Sequence, residues 1–308
     1  MRILVVGAGA IGGYFGGRLL EAGGDVTFLV RPRRAEQLAR GGLSVRSRFG
    51  DADLAAPTVL ADGLRDPFDV ILLSCKAYDL DDAMASFAPA VGPDTAILPL
   101  LNGMRHLDAL QQRFGAHCVL GGWCAISSTL DPDGRILHLN DSHSLLFGER
   151  DGSATQRIAA ISDAFAGAKF DARASDAIVQ EMWEKWVFIA TVAGITCLMR
   201  APIGDIVAAG AGDIAVALLE ECAAIARRDG APPGDASMQR TRAMVTAAGS
   251  PFAASMLRDV ERGAPTEVEH ILGDLLRRGG GGAAYPVLRM AYAHLATYEA
   301  QRARMQAS

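Results

Sequence analysis

The chain has 308 residues, 50% of them hydrophobic and 21% charged, with a formal net charge of −5. This balance fits one large or two ordinary folded domains, and it excludes intrinsic disorder, which needs fewer apolar residues and more net charge. It also argues against nucleic-acid binding, which needs a basic face. The five cysteines, Cys75, Cys118, Cys124, Cys197 and Cys222, form no CxxC pair. Their odd number and wide spacing point away from a disulfide framework or a zinc site and toward a reducing, cytoplasmic compartment.

Taken in chain order, residues 2–6 are a β-branched apolar run and predict a buried parallel strand. The run faintly imitates a signal peptide, but Gly7, Gly9, Gly12 and Gly13 break it. A helix is predicted over 11–22, a strand over 25–30 and a short helix over 32–39. A strand at 69–75, a helix at 79–87, a strand at 95–100 and a helix at 108–114 follow. Two further strands, 119–127 and 136–147, are split by the turn Asp131-Pro132-Asp133-Gly134. Strands alternating with helices imply an α/β fold with a doubly wound, mostly parallel sheet. From Ser175 onward the pattern is helical, with segments at 176–200, 213–229, 237–248, 252–262, 267–278 and 287–301. The expected organisation is a Rossmann-type domain over 1–170 and an all-α domain over 171–308. The apolar stretch 186–199 reads as a buried core helix, because about 14 residues fall short of a ~30 Å bilayer.

The first strand runs straight into Gly7-Ala8-Gly9-Ala10-Ile11-Gly12, a GxGxxG motif that opens a helix. Gly7 permits the tight turn, Gly9 lets backbone approach a pyrophosphate, and Gly12 allows close packing of helix on strand. The pyrophosphate would sit at the helix N-terminus, where N–H groups and the dipole favour anions. An NAD-binding version carries Asp or Glu at the end of the second strand. Here that strand ends in Val30-Arg31-Pro32-Arg33-Arg34. Arg31, helped by Arg33 or Arg34, could fork onto a 2′-phosphate, which favours NADPH; the alternative is a solvated basic turn. Lys76 and Asn102 follow the next two strands, at the sheet edge where ligands bind. By position alone they are equally a solvated lysine and a turn-forming asparagine.

In the family's order, Gly7–Gly12, Arg31, Cys75-Lys76-Ala77, Asn102-Gly103-Met104, Trp183-Glu184-Lys185, Ser255-Met256-Leu257-Arg258-Asp259 and Thr266-Glu267 match its motifs. On these residues the chain resembles the ketopantoate reductase family over almost its whole length. The resemblance implies a Rossmann domain, a helical domain and an active site between them. It implies NADPH-dependent reduction of a 2-keto acid to a 2-hydroxy acid, ketopantoate to pantoate in pantothenate biosynthesis. It assigns Lys185 as the catalytic lysine, and Glu267 as a hydrogen-bonding partner of the substrate. Ser255 would contact the substrate carboxylate, with Lys76 and Asn102 beside the nicotinamide. The chain departs from the pattern at Ile189, Ala193 and Phe252, where many members carry asparagine.

Lys185 suits the chemistry, since a cation near a carbonyl oxygen stabilises the charge that grows there and can donate the proton. Read without the resemblance, it is a lysine snorkelling at a helix end, and Glu267 an acid favoured by a first-turn dipole. Residues 185, 189 and 193 share one helix face, so Ile189 and Ala193 would make a more apolar wall than asparagine. The alternative reading is therefore the same chemistry on a more apolar 2-keto acid. A non-catalytic NADP-binding sensor is the rival from another class. No histidine spacing suggests a metal site. Apolar faces over 214–225 and 288–295 suit either core packing or a homodimer.

Overall fold

The computed structural model describes residues 1–307. Its contacts divide the chain into two compact units, 1–101 with 106–179, and 102–105 with the chain from 180 onward.

The first unit begins with β1 (Arg2–Val6), whose last four residues are buried. After it come α1 (Ala10–Glu21), β2 (Asp25–Leu29), α2 (Pro32–Gly41), β3 (Leu43–Arg46), β4 (Ala52–Leu54) and β5 (Thr58–Val59). Next are β6 (Val70–Leu73), α3 (Leu80–Phe87), β7 (Ala96–Pro99) and α4 (Arg105–Phe114). Five strands form a parallel sheet in the order β5-β2-β1-β6-β7, with Val5 opposite both Phe28 and Leu72. The connections reverse direction beside β1, which opens a crevice at the carboxyl ends of β1 and β6.

The two later strands do not extend this sheet. β8 (Gly121–Leu130) and β9 (Ile136–Gly148) pair antiparallel, with a register shift between Ile126 and Ser128. With α5 (Gln156–Phe165) leading into β10 (Asp171–Ala174), they build a second, mixed sheet in which β9 also pairs with β3 and β10. Helix α1 is held between the two sheets: Tyr14, Phe15 and Leu19 share one core with Val5 and Phe28 of the first and Leu43, Val45 and Phe147 of the second. Each large side chain buried this way contributes roughly 1.5–3 kcal/mol, so the N-terminus of α1 is fixed over the first sheet's edge.

β10 lies beyond the boundary expected at residue 170, and the first unit continues to residue 179. Asp171-Ala172-Arg173-Ala174 is a largely exposed edge strand, so it has no apolar alternation to reveal it.

The second unit is helical: α6 (Ile178–Met199, which starts in the first unit), α7 (Ile203–Ala208), α8 (Gly212–Arg228), α9 (Asp235–Val245), α10 (Ser255–Glu261), α11 (Asp274–Arg278) and α12 (Pro286–Ala307). Helix α6 has 22 residues, within the helical segment expected over 176–200, and is long and apolar enough to cross a membrane. It is instead a core helix, with 67% of its most apolar window buried inside the protein. Leu218, Leu219, Cys222 and Ile225 of α8 and Leu288, Ala291 and Leu295 of α12 are all fully buried in this unit. The helix expected over 267–278 is interrupted: Glu269–Gly273 winds as a wider π-turn before α11.

Candidate active site

In the first unit the candidate site is the turn from β1 into α1. Gly9 caps the helix with extended backbone and no side-chain hydrogen bond, and no acidic residue occupies the first turn. The N–H groups of that turn are therefore presented to an anion. A Cβ on Gly9 would meet nothing within 4 Å, while one on Gly12 would lie 2.2 Å from Ser74 Oγ and 2.3 Å from the Gly7 carbonyl. The middle glycine thus borders open space, and the last is pressed against the sheet. This is the cradle a dinucleotide pyrophosphate needs, and the residues fit that group.

At the end of β2, Arg31 is 72% exposed and pairs with Asp79 at 2.9 Å. That carboxylate pushes the Arg31 guanidinium pKa up. Arg34, one of the two arginines expected to help Arg31, has backbone partners. Its Nε donates to the Ala8 carbonyl at 3.0 Å and its Nη1 to Gly134 at 3.0 Å, so it braces the glycine-rich turn from below. Arg34 is half-buried, and burial pulls its pKa down. Lys76 is half-buried just past β6, heading the 3-10 turn Ala77–Asp79.

In the second unit the site is built around α6. Trp183 and Trp186 are buried with ring centroids 4.8 Å apart, and Lys185 sits between them in sequence, half-buried. The Trp186 indole N–H donates to the Ile271 carbonyl at 2.9 Å. The Arg278 guanidinium lies 5.8 and 5.7 Å from the two ring centroids. The lysine turn of α6 is thereby tied to the π-turn that follows Glu267; such widened turns are frequent at functional sites.

Glu267 is half-buried and its carbonyl accepts the His270 and Ile271 N–H groups at 3.0 and 2.9 Å. The segment before it is clamped by α12. Both the backbone N–H and the hydroxyl of Thr266 donate to Glu299 Oε1, at 2.6 and 2.7 Å. The Tyr298 hydroxyl donates to the Ala264 carbonyl at 2.7 Å. His270 is buried, and its burial lowers its pKa while a hydrogen bond with the Asn102 backbone raises it. Gly103, at φ +78°, rests on this ring, and a Cβ there would come within 3.0 Å of it. So the turn carrying Asn102 is seated on the π-turn, within the same unit as Lys185 and Glu267.

Ser255 is exposed at the first position of α10. Of the three positions that depart from the resemblance, Ala193 is only 1% exposed and presents no open wall. Ile189 is half-buried, and Phe252 is 37% exposed, its ring stacked on Phe188 at 6.1 Å. Sequence reasoning missed Phe188, Glu299, His270 and Arg278. The last three act through chain-distant partners and leave no local signal. Phe188 lay in plain view, three residues after Lys185.

A glycine-rich turn at the switch point of a doubly wound parallel sheet marks the first unit as a dinucleotide-binding domain. Family models for ketopantoate reductase PanE/ApbA match residues 3–152, and for its C-terminal domain residues 177–299. The chain belongs to the ketopantoate reductase family, nicotinamide-dependent oxidoreductases that act on CH–OH groups. It is 41% identical over 304 residues to an uncharacterized oxidoreductase, YkpB, of Bacillus subtilis, covering 98% of this chain and 100% of that one. Identity to the 2-dehydropantoate 2-reductase of Archaeoglobus fulgidus is 29% over 282 residues, 90% of each chain. The crystal structure of 2-dehydropantoate 2-reductase from Geobacter metallireducens matches with a TM-score of 0.87 at 30% identity, covering 96% of this chain and 99% of that one.

Proposed function

We propose that this protein reduces a 2-keto acid to the corresponding 2-hydroxy acid with NADPH. The observation that carries this reading is Lys185, half-buried beside two buried tryptophans and tied through Trp186 to the segment that presents Glu267. With its pyrophosphate held by the glycine-rich turn, NADPH would supply the hydride that the carbonyl carbon accepts. The Lys185 ammonium stabilises the negative charge growing on the carbonyl oxygen and delivers the proton that completes the hydroxyl. Glu267 accepts a hydrogen bond from the substrate, and the Ser255 hydroxyl donates to its carboxylate. Asn102 contacts both substrate and cofactor, and Lys76 lies along the cofactor. Arg31 exchanges Asp79 for the 2′-phosphate, which gives the preference for NADPH.

Family membership makes ketopantoate, and with it pantothenate biosynthesis, the first acid to test. A cytoplasmic enzyme acting as a homodimer, with a Rossmann cofactor domain and a helical substrate domain, completes this reading.

The test is NADPH oxidation by the purified protein with ketopantoate, alongside an NADH control. Lys185→Ala is expected to lower kcat by about 10²- to 10⁴-fold, the range for a lost proton donor, with NADPH binding retained. Full turnover by the variant would remove Lys185 from the chemistry. A wild type that binds NADPH but reduces no keto acid would point to a sensor instead.

A further inference from the structure

Phe188 and Phe252 pack on one another, and each is near in sequence to a residue of the proposed site. Phe188 is one turn beyond Lys185 on α6, and Phe252 lies three residues before Ser255. Their rings stack at 6.1 Å between centroids with only 14° between planes, the offset parallel geometry that aromatic pairs favour. Phe252 is among the few large hydrophobic side chains left exposed, at 37%.

Phe252 does not sit on a loose surface loop. Its carbonyl accepts the Ile203 N–H at 2.9 Å, and the Ser250 carbonyl accepts that of Gly204 at 2.8 Å. Two residues on, the Ala254 N–H donates to the Thr196 hydroxyl at 3.4 Å. The chain is thus pinned to α6 and α7 on both sides of the ring. The pinned backbone holds this partly exposed aromatic face in one place, available to an apolar group of the substrate. Ile189, half-buried one turn after Lys185, adds an aliphatic shoulder. None of these three side chains offers a hydrogen bond, so a substrate hydroxyl pressed against them would lose water and gain nothing.

We propose that Phe188 and Phe252 form the side-chain wall of the substrate site and select 2-keto acids with a flat, apolar, hydroxyl-free side chain over hydroxylated ones such as ketopantoate. This inference rests on the 2-keto-acid reduction proposed above.

The experiment compares kcat/KM for phenylpyruvate and for ketopantoate, with NADPH, in the wild type, Phe252→Asn and Phe188→Leu. The ratio of the two values does not depend on what fraction of a variant is folded, so a weakened fold does not disguise the result. The wild type is expected to favour phenylpyruvate by at least about tenfold, since its side chain covers the aromatic pair without burying a hydroxyl that lacks a partner. Phe252→Asn should cut that ratio at least tenfold by supplying an amide, and Phe188→Leu should cut it by removing the stacked partner. A wild-type preference for ketopantoate, or a ratio unmoved in both variants, overturns the aromatic wall and leaves keto-acid reduction standing. Failure to oxidise NADPH with either acid overturns both.

Discussion

Arg31 and Glu299 show how individual side chains serve the site at one remove. Arg31 is held by Asp79 at 2.9 Å, and under the proposed function a 2′-phosphate would displace that carboxylate. Asp79→Asn is therefore expected to lower KM for NADPH severalfold, while Arg31→Ala should reduce the NADPH-over-NADH ratio of kcat/KM about tenfold or more, as losing ~1.4 kcal/mol of phosphate contact would do. Steady-state kinetics with both cofactors read this directly. Glu299 takes both Thr266 donors on one oxygen, so Glu299→Ala strands two donors next to Glu267. A stability loss of about 1–3 kcal/mol in urea unfolding is expected, with a fall in kcat from the loosened carboxylate. The sequence shows Lys185 and Glu267 only as charged residues at helix ends, and the surrounding motifs carry the rest. Glu299 is invisible there, because nothing local marks a residue 33 positions away as the clamp on Thr266.

At the scale of elements, apolar runs make β1, β2, β6 and β7 legible, because a strand covered on both faces needs no alternation. The same runs do not say which sheet a strand joins. Hence β8 and β9 are recognised as strands, while their antiparallel pairing in a second sheet is not. The π-turn at Glu269–Gly273 is likewise hidden, since one extra residue in a turn barely disturbs the apolar spacing. The α1 turn is legible because glycine is demanded by contact. Gly12→Ala would drive a methyl to 2.2 Å from Ser74 Oγ and 2.3 Å from backbone oxygen. Since backbone cannot step aside cheaply, about 1–3 kcal/mol of destabilisation is expected, with NADPH affinity lost as α1 shifts. Calorimetric titration at a temperature where the variant stays folded separates the two effects.

For the molecule as a whole, acid stability follows from buried groups in both units. Burial lowers the pKa of His143 in the first unit and of His270 in the second from the ordinary 6.5. The unfolded chain therefore binds more protons than the folded one as pH falls through that range, and stability present above about pH 6.5 is lost below it. Glu149 acts the same way lower down. The Arg157 hydrogen bond holds its carboxyl below the ordinary 4.5, so its contribution is present above that pH and lost as pH falls further. The melting temperature should drop between pH 7.5 and 5.5 and again below pH 4.5; a flat profile across the first interval would contradict the histidine assignment.

Residues 102–105 belong with the chain beyond 180, although the residues on either side of them belong to the first unit. During synthesis this stretch leaves the ribosome long before His270, the side chain on which its turn comes to rest. The two units therefore cannot be separated by any single cut in the gene, and a fragment stopping at residue 179 would leave Asn102 and Gly103 without their seat.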